Sequence, residues 1–90
     1  VHQLNVYPNP AANGQALTVE ANSNKSFTGQ ISLFDNTGRL VQSFNKDFVQ
    51  GANRFTITPS NLAPGIYIVR LSGSDVSINR KLVIYWTQLL

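Results

Sequence analysis

The 90-residue sequence predicts an all-β fold, and three observations support this prediction. Clusters of glycine, proline, asparagine and serine recur at intervals of about 8 to 15 residues, as is typical of turns between short strands. Between these clusters, apolar and polar residues alternate with a period of two, which places alternate side chains on opposite faces of a strand. No stretch of ten residues shows helical spacing, and β-branched and aromatic residues dominate the periodic segments.

Seven segments between the turns match the pattern of a strand. In chain order they are LNVY (4–7), QALTVEA (15–21), TGQISLFD (28–35), RLVQSF (39–44), NRFTITP (53–59), GIYIVRLS (65–72) and VSINRKLVIYW (76–86). Most have one apolar and one polar face; Leu17 and Val19, for example, alternate with Thr18 and Glu20. Half-buried strands with short connections bury their apolar faces against one another, so we expect a two-sheet antiparallel sandwich rather than a small barrel.

The segment 65–72 differs from the others because apolar side chains lie on both of its faces. Tyr67, Val69 and Leu71 share one face, and Ile66 and Ile68 share the other. This pattern predicts a central strand whose Ile66 and Ile68 are covered by a loop or by the opening segment. Pro64 and Gly65 precede the strand and predict a type II turn that directs it into the sheet.

The composition argues against several classes of function. With no cysteine and one histidine, His2, neither a disulfide framework nor a zinc site is expected. No window approaches the roughly 20 apolar residues of a membrane helix. The net charge of +3 is mild and the basic residues are scattered, which argues against nucleic-acid binding. The length of 90 residues predicts one domain, residues 1–90. Because the chain starts at Val1 and lacks methionine, we expect this domain to be excised from a larger protein.

No group of residues predicts catalysis, so we expect no enzyme activity, cofactor, metal or small-molecule substrate. The available acids and bases, Glu20, Asp35, Asp47, Asp75 and His2, have no recognisable spacing. The DNTG segment (35–38) matches part of a calcium loop but lacks the later carboxylates. A hairpin turn is favoured, in which Asp35 accepts hydrogen bonds from the backbone two residues on and Gly38 supplies a positive φ.

Four aromatic residues, Tyr7, Tyr67, Tyr85 and Trp86, raise an alternative function. Exposed rings on a sandwich bind sugars or proteins in many accessory modules, so the alternative is a fibronectin-like binding module of an exported enzyme. Tyr67 has a core explanation, because it alternates with Val69 and Leu71. Tyr85 and Trp86 are adjacent and therefore point to opposite faces, so they cannot form one platform.

Four motifs in a fixed order are more specific than any single residue. They are VYPNPAANGQALTV (6–19), ISLFDNTGRLV (31–41), LAPGIYIVRL (62–71) and NRKLVI (79–84). Together they resemble the type A C-terminal sorting domain of the type IX secretion system of Bacteroidetes, also called the Por secretion tail. The resemblance runs from Val6 to Ile84, nearly the whole chain.

The resemblance implies an immunoglobulin-like sandwich of about seven strands that acts as a non-catalytic export tag. A protein carrying such a tag crosses the periplasm, is recognised at the outer-membrane translocon with a shuttle protein, and is typically cleaved by a surface sortase. The cargo then stays on the cell surface or enters the medium.

We expect the recognised surface to lie on the last strand, at Arg80, Lys81, Leu82, Val83 and Ile84. Leu82 and Ile84 continue the alternation of Val76 and Ile78 and are expected to be core, which leaves Lys81 and Val83 facing outward. A partner would either add a strand to the sheet edge or dock on alternate side chains. The remaining motif residues are expected to set shape: Pro8, Asn9, Pro10, Asp35, Gly38, Pro64, Gly65 and Tyr67.

The tail YWTQLL (85–90) departs from the family, whose members usually end within a few residues of KLVI. The tail is either native or an expression-vector remnant. A native apolar tail would extend the last strand or pair with a neighbouring chain, so self-association through the C-terminal edge is a further prediction.

Overall fold

The computed structural model describes residues 3–59, 62–73 and 76–85. These ranges contain strands and turns but no helix, so no helix there is long and apolar enough to cross a membrane. The all-β prediction is confirmed. The strands are β1 Gln3–Tyr7, β2 Ala11–Ala12, β3 Leu17–Ser23, β4 Phe27–Phe34, β5 Leu40–Phe48, β6 Gly51–Ile57, β7 Gly65–Gly73 and β8 Val76–Tyr85.

All seven predicted strands are present, and β2 is an eighth that the sequence did not predict. With only two residues, Ala11 and Ala12, β2 is too short to show an alternating pattern. It pairs in parallel with β8, so the five-stranded sheet is not wholly antiparallel. Strand β5 also runs beyond its predicted end at Phe44, because polar residues such as Asn45 continue the pairing with β4.

The strands form two sheets. One has the order β1-β3-β6 and the other has the order β2-β8-β7-β4-β5. Strand β7 lies in the middle of the larger sheet, as its two apolar faces predicted. The neighbours β4 and β5, and β7 and β8, follow one another in the sequence, whereas pairs such as β3 with β6 and β4 with β7 join distant parts of it.

The core lies between the two sheets. The smaller sheet contributes residues such as Val19, and the larger sheet contributes residues such as Ile31 and Val69, all fully buried. The buried apolar side chains form one cluster: Leu4, Val6, Ala11, Leu17, Val19, Ala21, Ile31, Leu33, Phe48, Ile57, Leu62, Tyr67, Val69, Leu71, Leu82 and Ile84. Burying both inner faces in one layer is the arrangement of a β-sandwich.

Three phenylalanines pack together where β5 turns into β6. The ring of Phe48 stacks on that of Phe27 with centroids 4.8 Å apart and meets the edge of Phe55 at 5.0 Å. Phe27 and Phe48 belong to the larger sheet and Phe55 to the smaller one, so these rings join the two layers.

The prediction that Ile66 and Ile68 are both covered is wrong for Ile66. Ile66 is 48% exposed, and Ile68 is half-buried. The smaller sheet packs on the opposite face of β7, against Tyr67 and Val69. The face that carries Ile66 is therefore turned away from the core.

Candidate functional site

Strand β8 has the two-sided character predicted for residues 80–84. Leu82 and Ile84 are buried in the core, whereas Lys81 is exposed and Val83 is half-buried on the opposite face. This division follows from the pairing of β8 with β7, in which Leu82 lies opposite the buried Tyr67. Of these five predicted contact residues, Lys81 and Val83 present their side chains on the outer face.

Arg80 makes structural contacts within the chain. Its Nε donates a hydrogen bond to the Leu4 carbonyl oxygen at 2.8 Å, and its Nη1 donates to the Asn79 carbonyl oxygen at 2.9 Å. Leu4 belongs to β1 in the smaller sheet, so the guanidinium group joins an edge of one sheet to an edge of the other. The Leu4 carbonyl oxygen thus accepts a hydrogen bond from the other sheet.

Asn9 in the PNP motif occupies the outer edge of β8. Its side-chain Nδ2 donates to the Lys81 carbonyl oxygen at 2.7 Å, and its Oδ1 accepts from the Val83 backbone N–H at 3.0 Å. One amide side chain thus makes the two hydrogen bonds that a neighbouring strand would make there. Pro8 and Pro10 flank Asn9, and the peptide bonds before both prolines are cis.

Strand β2 continues this cover along the same edge. Ala11 pairs with Ile84, Ala12 pairs with Tyr85, and the Asn13 N–H donates to the Tyr85 carbonyl oxygen at 3.1 Å. The edge of β8 from Lys81 to Tyr85 is therefore already bonded within the chain. No sequence pattern predicted this role for Asn9, because its partners lie more than seventy residues away.

The DNTG segment forms the predicted hairpin turn between β4 and β5. Asp35 Oδ1 accepts hydrogen bonds from the Thr37 N–H at 2.9 Å, the Thr37 hydroxyl at 2.6 Å and the Arg39 N–H at 3.0 Å. Gly38 has φ +89°, which few residues other than glycine adopt. One of the two Asp35 carboxylate oxygens is thus bonded to three donors of residues 37 and 39.

These contacts also set the charge state of Asp35. The hydroxyl of Thr37 is the largest cause of a lowered Asp35 pKa, followed by the Arg39 backbone N–H. Arg39 adds an ion pair, with Nε 3.3 Å from Asp35 Oδ2. Asp35 stays ionised because its partners are built into the turn.

The segment before β7 differs in detail from the predicted type II turn. Gly65 has a positive φ, as expected, but the value of +153° is far from the roughly +80° of that turn, and Gly65 is already the first residue of β7. The Tyr67 hydroxyl donates to the Ala63 carbonyl oxygen at 2.6 Å. Tyr67 thus buries its ring in the core and fastens the chain that enters the strand.

A family model described as "Secretion system C-terminal sorting domain" matches residues 5–85. The chain belongs to this family. The sorting domain is therefore a C-terminal secretion signal of the type IX system, and it directs export to the cell surface or the extracellular space. Membership indicates a non-catalytic role and an interaction with the secretion machinery.

Among solved structures, the sorting domain is similar to part of a β-glucosidase from Listeria innocua, determined in complex with isofagomine. The TM-score is 0.59 at 17% sequence identity, and the alignment covers 98% of the sorting domain but 16% of that chain. At this identity the likeness shows the fold alone. No curated protein matches the chain.

The outer face of the smaller sheet of the sorting domain is polar. Arg54 donates to Glu20 Oε2 from Nε at 3.0 Å and from Nη2 at 2.7 Å. This bond is the main cause of the lowered Glu20 pKa, and the Tyr7 hydroxyl lowers it further. An open depression of about 510 Å³ lies beside the pair, lined by residues such as Asn5 and Asn22.

The accessory-module alternative is not favoured by the family match. Of the four aromatic residues that raised it, Tyr67 is buried, Tyr7 is 40% exposed and Tyr85 is 49% exposed at the end of β8. Trp86 lies outside the described residues. Among residues 3–59, 62–73 and 76–85, no three potential metal ligands lie together.

Proposed function

We propose that the sorting domain, residues 1–90, is the C-terminal part of a larger exported protein and is recognised after it has folded. The cargo crosses the periplasm, and the outer-membrane translocon, a shuttle protein and a sortase then act on the domain, which has no catalytic activity of its own. The observation that supports this proposal is the family match over residues 5–85.

The structure supports recognition of a folded body because the motif residues hold the domain in one shape. Asn9 fastens the PNP segment to β8, Asp35 closes the hairpin and Tyr67 fastens the entry to β7. Each contact leaves a surface that is presented in the same way whatever cargo precedes it. A tag that serves many cargoes requires this constancy.

Recognition through side chains is favoured over strand addition at the C-terminal edge. Asn9 and β2 already bond the edge of β8 from Lys81 to Tyr85. Lys81 and Val83 remain available on the outer face, so we propose them as the first contacts of the secretion machinery. The same bonds argue against self-association along the described edge from Lys81 to Tyr85, because a second copy would have to displace Asn9 and β2 to pair there.

A reporter experiment tests the proposed function. The 90-residue domain is fused to the C-terminus of a periplasm-targeted fluorescent protein and produced in a Bacteroidetes host with and without a functional type IX translocon. We expect fluorescence at the cell surface or in the medium in the first host and periplasmic fluorescence in the second. Periplasmic retention in both hosts would contradict the proposal.

A further inference from the structure

The outer face of the larger sheet carries an apolar surface that spans four strands. Leu40 in β5 lies opposite Phe34 in β4, Phe34 lies opposite Ile68 in β7, and Ile68 lies opposite Lys81 in β8. In the next row Ile66 lies opposite Val83. Residues that face one another across paired strands share one side of the sheet. We define the outer apolar patch as Phe34, Leu40, Ile66, Ile68 and Val83.

A β-bulge places Leu40 in this patch. The register of β4 and β5 shifts between Leu33 and Phe34, so that Phe34 pairs with Leu40 while Val41 packs against the core. Without this shift in register, Val41 would pair with Phe34 and Leu40 would point to the inner face. Leu40 is 53% exposed and Ile66 is 48% exposed. Two large apolar side chains on one face are therefore in contact with water.

Cationic groups border the outer apolar patch. The Arg70 guanidinium lies over the Phe34 ring, 4.6 Å from its centroid, and its Nε donates to Asn79 Oδ1 at 2.9 Å. Lys81 ends the row that begins at Leu40, and within the described part of the chain no group bonds to its Nζ. Arg39 adds a largely exposed guanidinium at the nearby hairpin.

Among the described acidic residues, Asp35 pairs with one cation of this border, Arg39, and no described carboxylate pairs with Arg70 or Lys81. Glu20 lies on the outer face of the other sheet and pairs with Arg54. Asp47 pairs in register with Thr28 at the opposite end of β4 and β5 and accepts a bond from its hydroxyl. Asp35 is bonded within its own turn. The patch therefore has an apolar centre and a border of net positive charge.

We propose that the outer apolar patch is the docking surface of the sorting domain, and that it fits a protein of the export apparatus with an apolar centre and a border of carboxylates. This inference rests on the proposed function and extends it from Lys81 and Val83 to β4, β5 and β7. Exposed apolar surface with a charged border is typical of protein interfaces. A second copy of the domain is a poorer occupant, since face-to-face packing would bring the same cations together.

Two substitutions at residues of similar exposure test whether the apolar centre of the patch is needed for docking. Leu40→Asp introduces a carboxylate into the patch, whereas Val49→Asp introduces one at the other end of β5, where Val49 is 54% exposed. The Asn53 side chain bonds to the backbone N–H and carbonyl oxygen of Val49, so these bonds are retained in the control variant Val49→Asp. In the reporter host we expect Leu40→Asp to reduce export by roughly tenfold, as for the loss of an interface anchor, and Val49→Asp to leave it within about twofold.

A second pair tests the charge border. Lys81→Glu and Lys25→Glu change the net charge equally, but Lys25 lies in the turn between β3 and β4, away from the patch. We expect Lys81→Glu to lower export and Lys25→Glu to leave it unchanged. The urea midpoint of each of the four purified variants shows whether its fold is as stable as that of the parent. If the midpoint of a patch variant falls, Ile66→Thr, which retains a β-branched side chain, replaces it in the export assay.

The outcomes separate the two proposals. Export of the parent with loss confined to the patch variants supports the docking surface. Equal export of the parent and all folded variants overturns it and leaves the sorting function intact. Retention of the parent in a competent host overturns both. A dimeric parent that becomes monomeric on Leu40→Asp, as measured by sedimentation, would assign the patch to a second copy and overturn the inference.

Discussion

The two sheets of the sandwich have outer faces of opposite character. On the smaller sheet, Asn5, Glu20 and Arg54 form one row across β1, β3 and β6, and the charges of this row are paired with each other. On the larger sheet, a row of residues that lie opposite one another runs across β5, β4, β7 and β8, from Leu40 through Phe34 and Ile68 to Lys81. Both faces are turned away from the core, yet only the first has the composition expected of a face that needs no partner.

This difference shows which part of a small sandwich is free to act as a label. The core faces of the strands must be largely apolar for the fold to exist, so they have little freedom to vary with function. The polar face satisfies its charges internally and is adapted to water. The larger sheet has an exposed apolar surface, for which the proposed docking role accounts.

The largest expected change in stability comes from comparing Leu82 and Val83, adjacent residues of β8 whose side chains lie on opposite faces of the sheet. Leu82→Ala removes a fully buried side chain and should lower the free energy of unfolding by about 2 to 5 kcal/mol. Val83→Ala, on the outer face, should lower it by less than about 1 kcal/mol and should reduce export instead. Urea denaturation of both purified variants and the reporter assay measure these changes. Similar losses of stability in the two variants would show that β8 is not divided into a core face and a contact face.

The next effect comes from making the two outer faces alike. Phe34→Thr combined with Ile68→Thr gives the larger sheet a polar row, and we expect export to fall by about tenfold. Thr18→Val with Thr56→Val makes the smaller sheet more apolar, and these threonines already lie opposite each other. The second double variant should be exported like the parent. A comparable loss in both would mean that the two faces contribute equally to recognition.

A smaller effect distinguishes the face of the larger sheet from its edge. Asn9→Ala removes two hydrogen bonds to β8, and we expect the free energy of unfolding to fall by about 1 kcal/mol. The opened edge should also promote association, measured by sedimentation over a range of concentrations. Asn45→Ala, an exposed amide of β5, is the control and should change neither property. Unchanged stability and association in Asn9→Ala would contradict the edge-covering role.

The smallest effect concerns pH and one carboxylate from each region. The pKa values of Glu20 and Asp35 are both lowered in the folded chain by their hydrogen-bond donors. A carboxylate whose folded pKa is lowered stabilises the fold above its unfolded pKa and loses that contribution as the pH falls through the folded value. The urea midpoint of the parent should therefore fall below about pH 4, and fall less in Glu20→Gln and Asp35→Asn. Identical pH profiles in parent and variants would remove both groups from the acid response.

Much of the fold followed from local pattern, and the failures arose where local pattern carries no information. Alternation predicted the burial of Leu82 and Ile84, and turn chemistry predicted the bonds of Asp35. The two-residue β2 has no readable period, and the turn type at Gly65 depends on how β7 enters the sheet. Ile66 was expected to be covered because its side chain is apolar. The sequence gives no sign of whether another layer of the structure lies over that side chain.

The candidate site was harder to predict than the fold. The sequence offered Arg80 only as a partner contact and did not show that its guanidinium reaches the Leu4 carbonyl of a strand at the other end of the chain. Asn9 was expected to set shape, and it does so by bonding β8 across a separation that sequence spacing does not reveal. The family motifs nevertheless led to the correct family, because their order covers most of the chain.

The amino-acid sequence by itself determined which side of each strand is apolar and where most turns lie, because both depend on residues within a few positions of one another. The tertiary structure decided which strands are neighbours, where the bulge at Leu40 falls and which side chains cover the edge of β8. These features depend on pairing between distant segments, and many pairings are compatible with the same alternation. Only the folded chain brings Leu40, Phe34, Ile68 and Lys81 into one row.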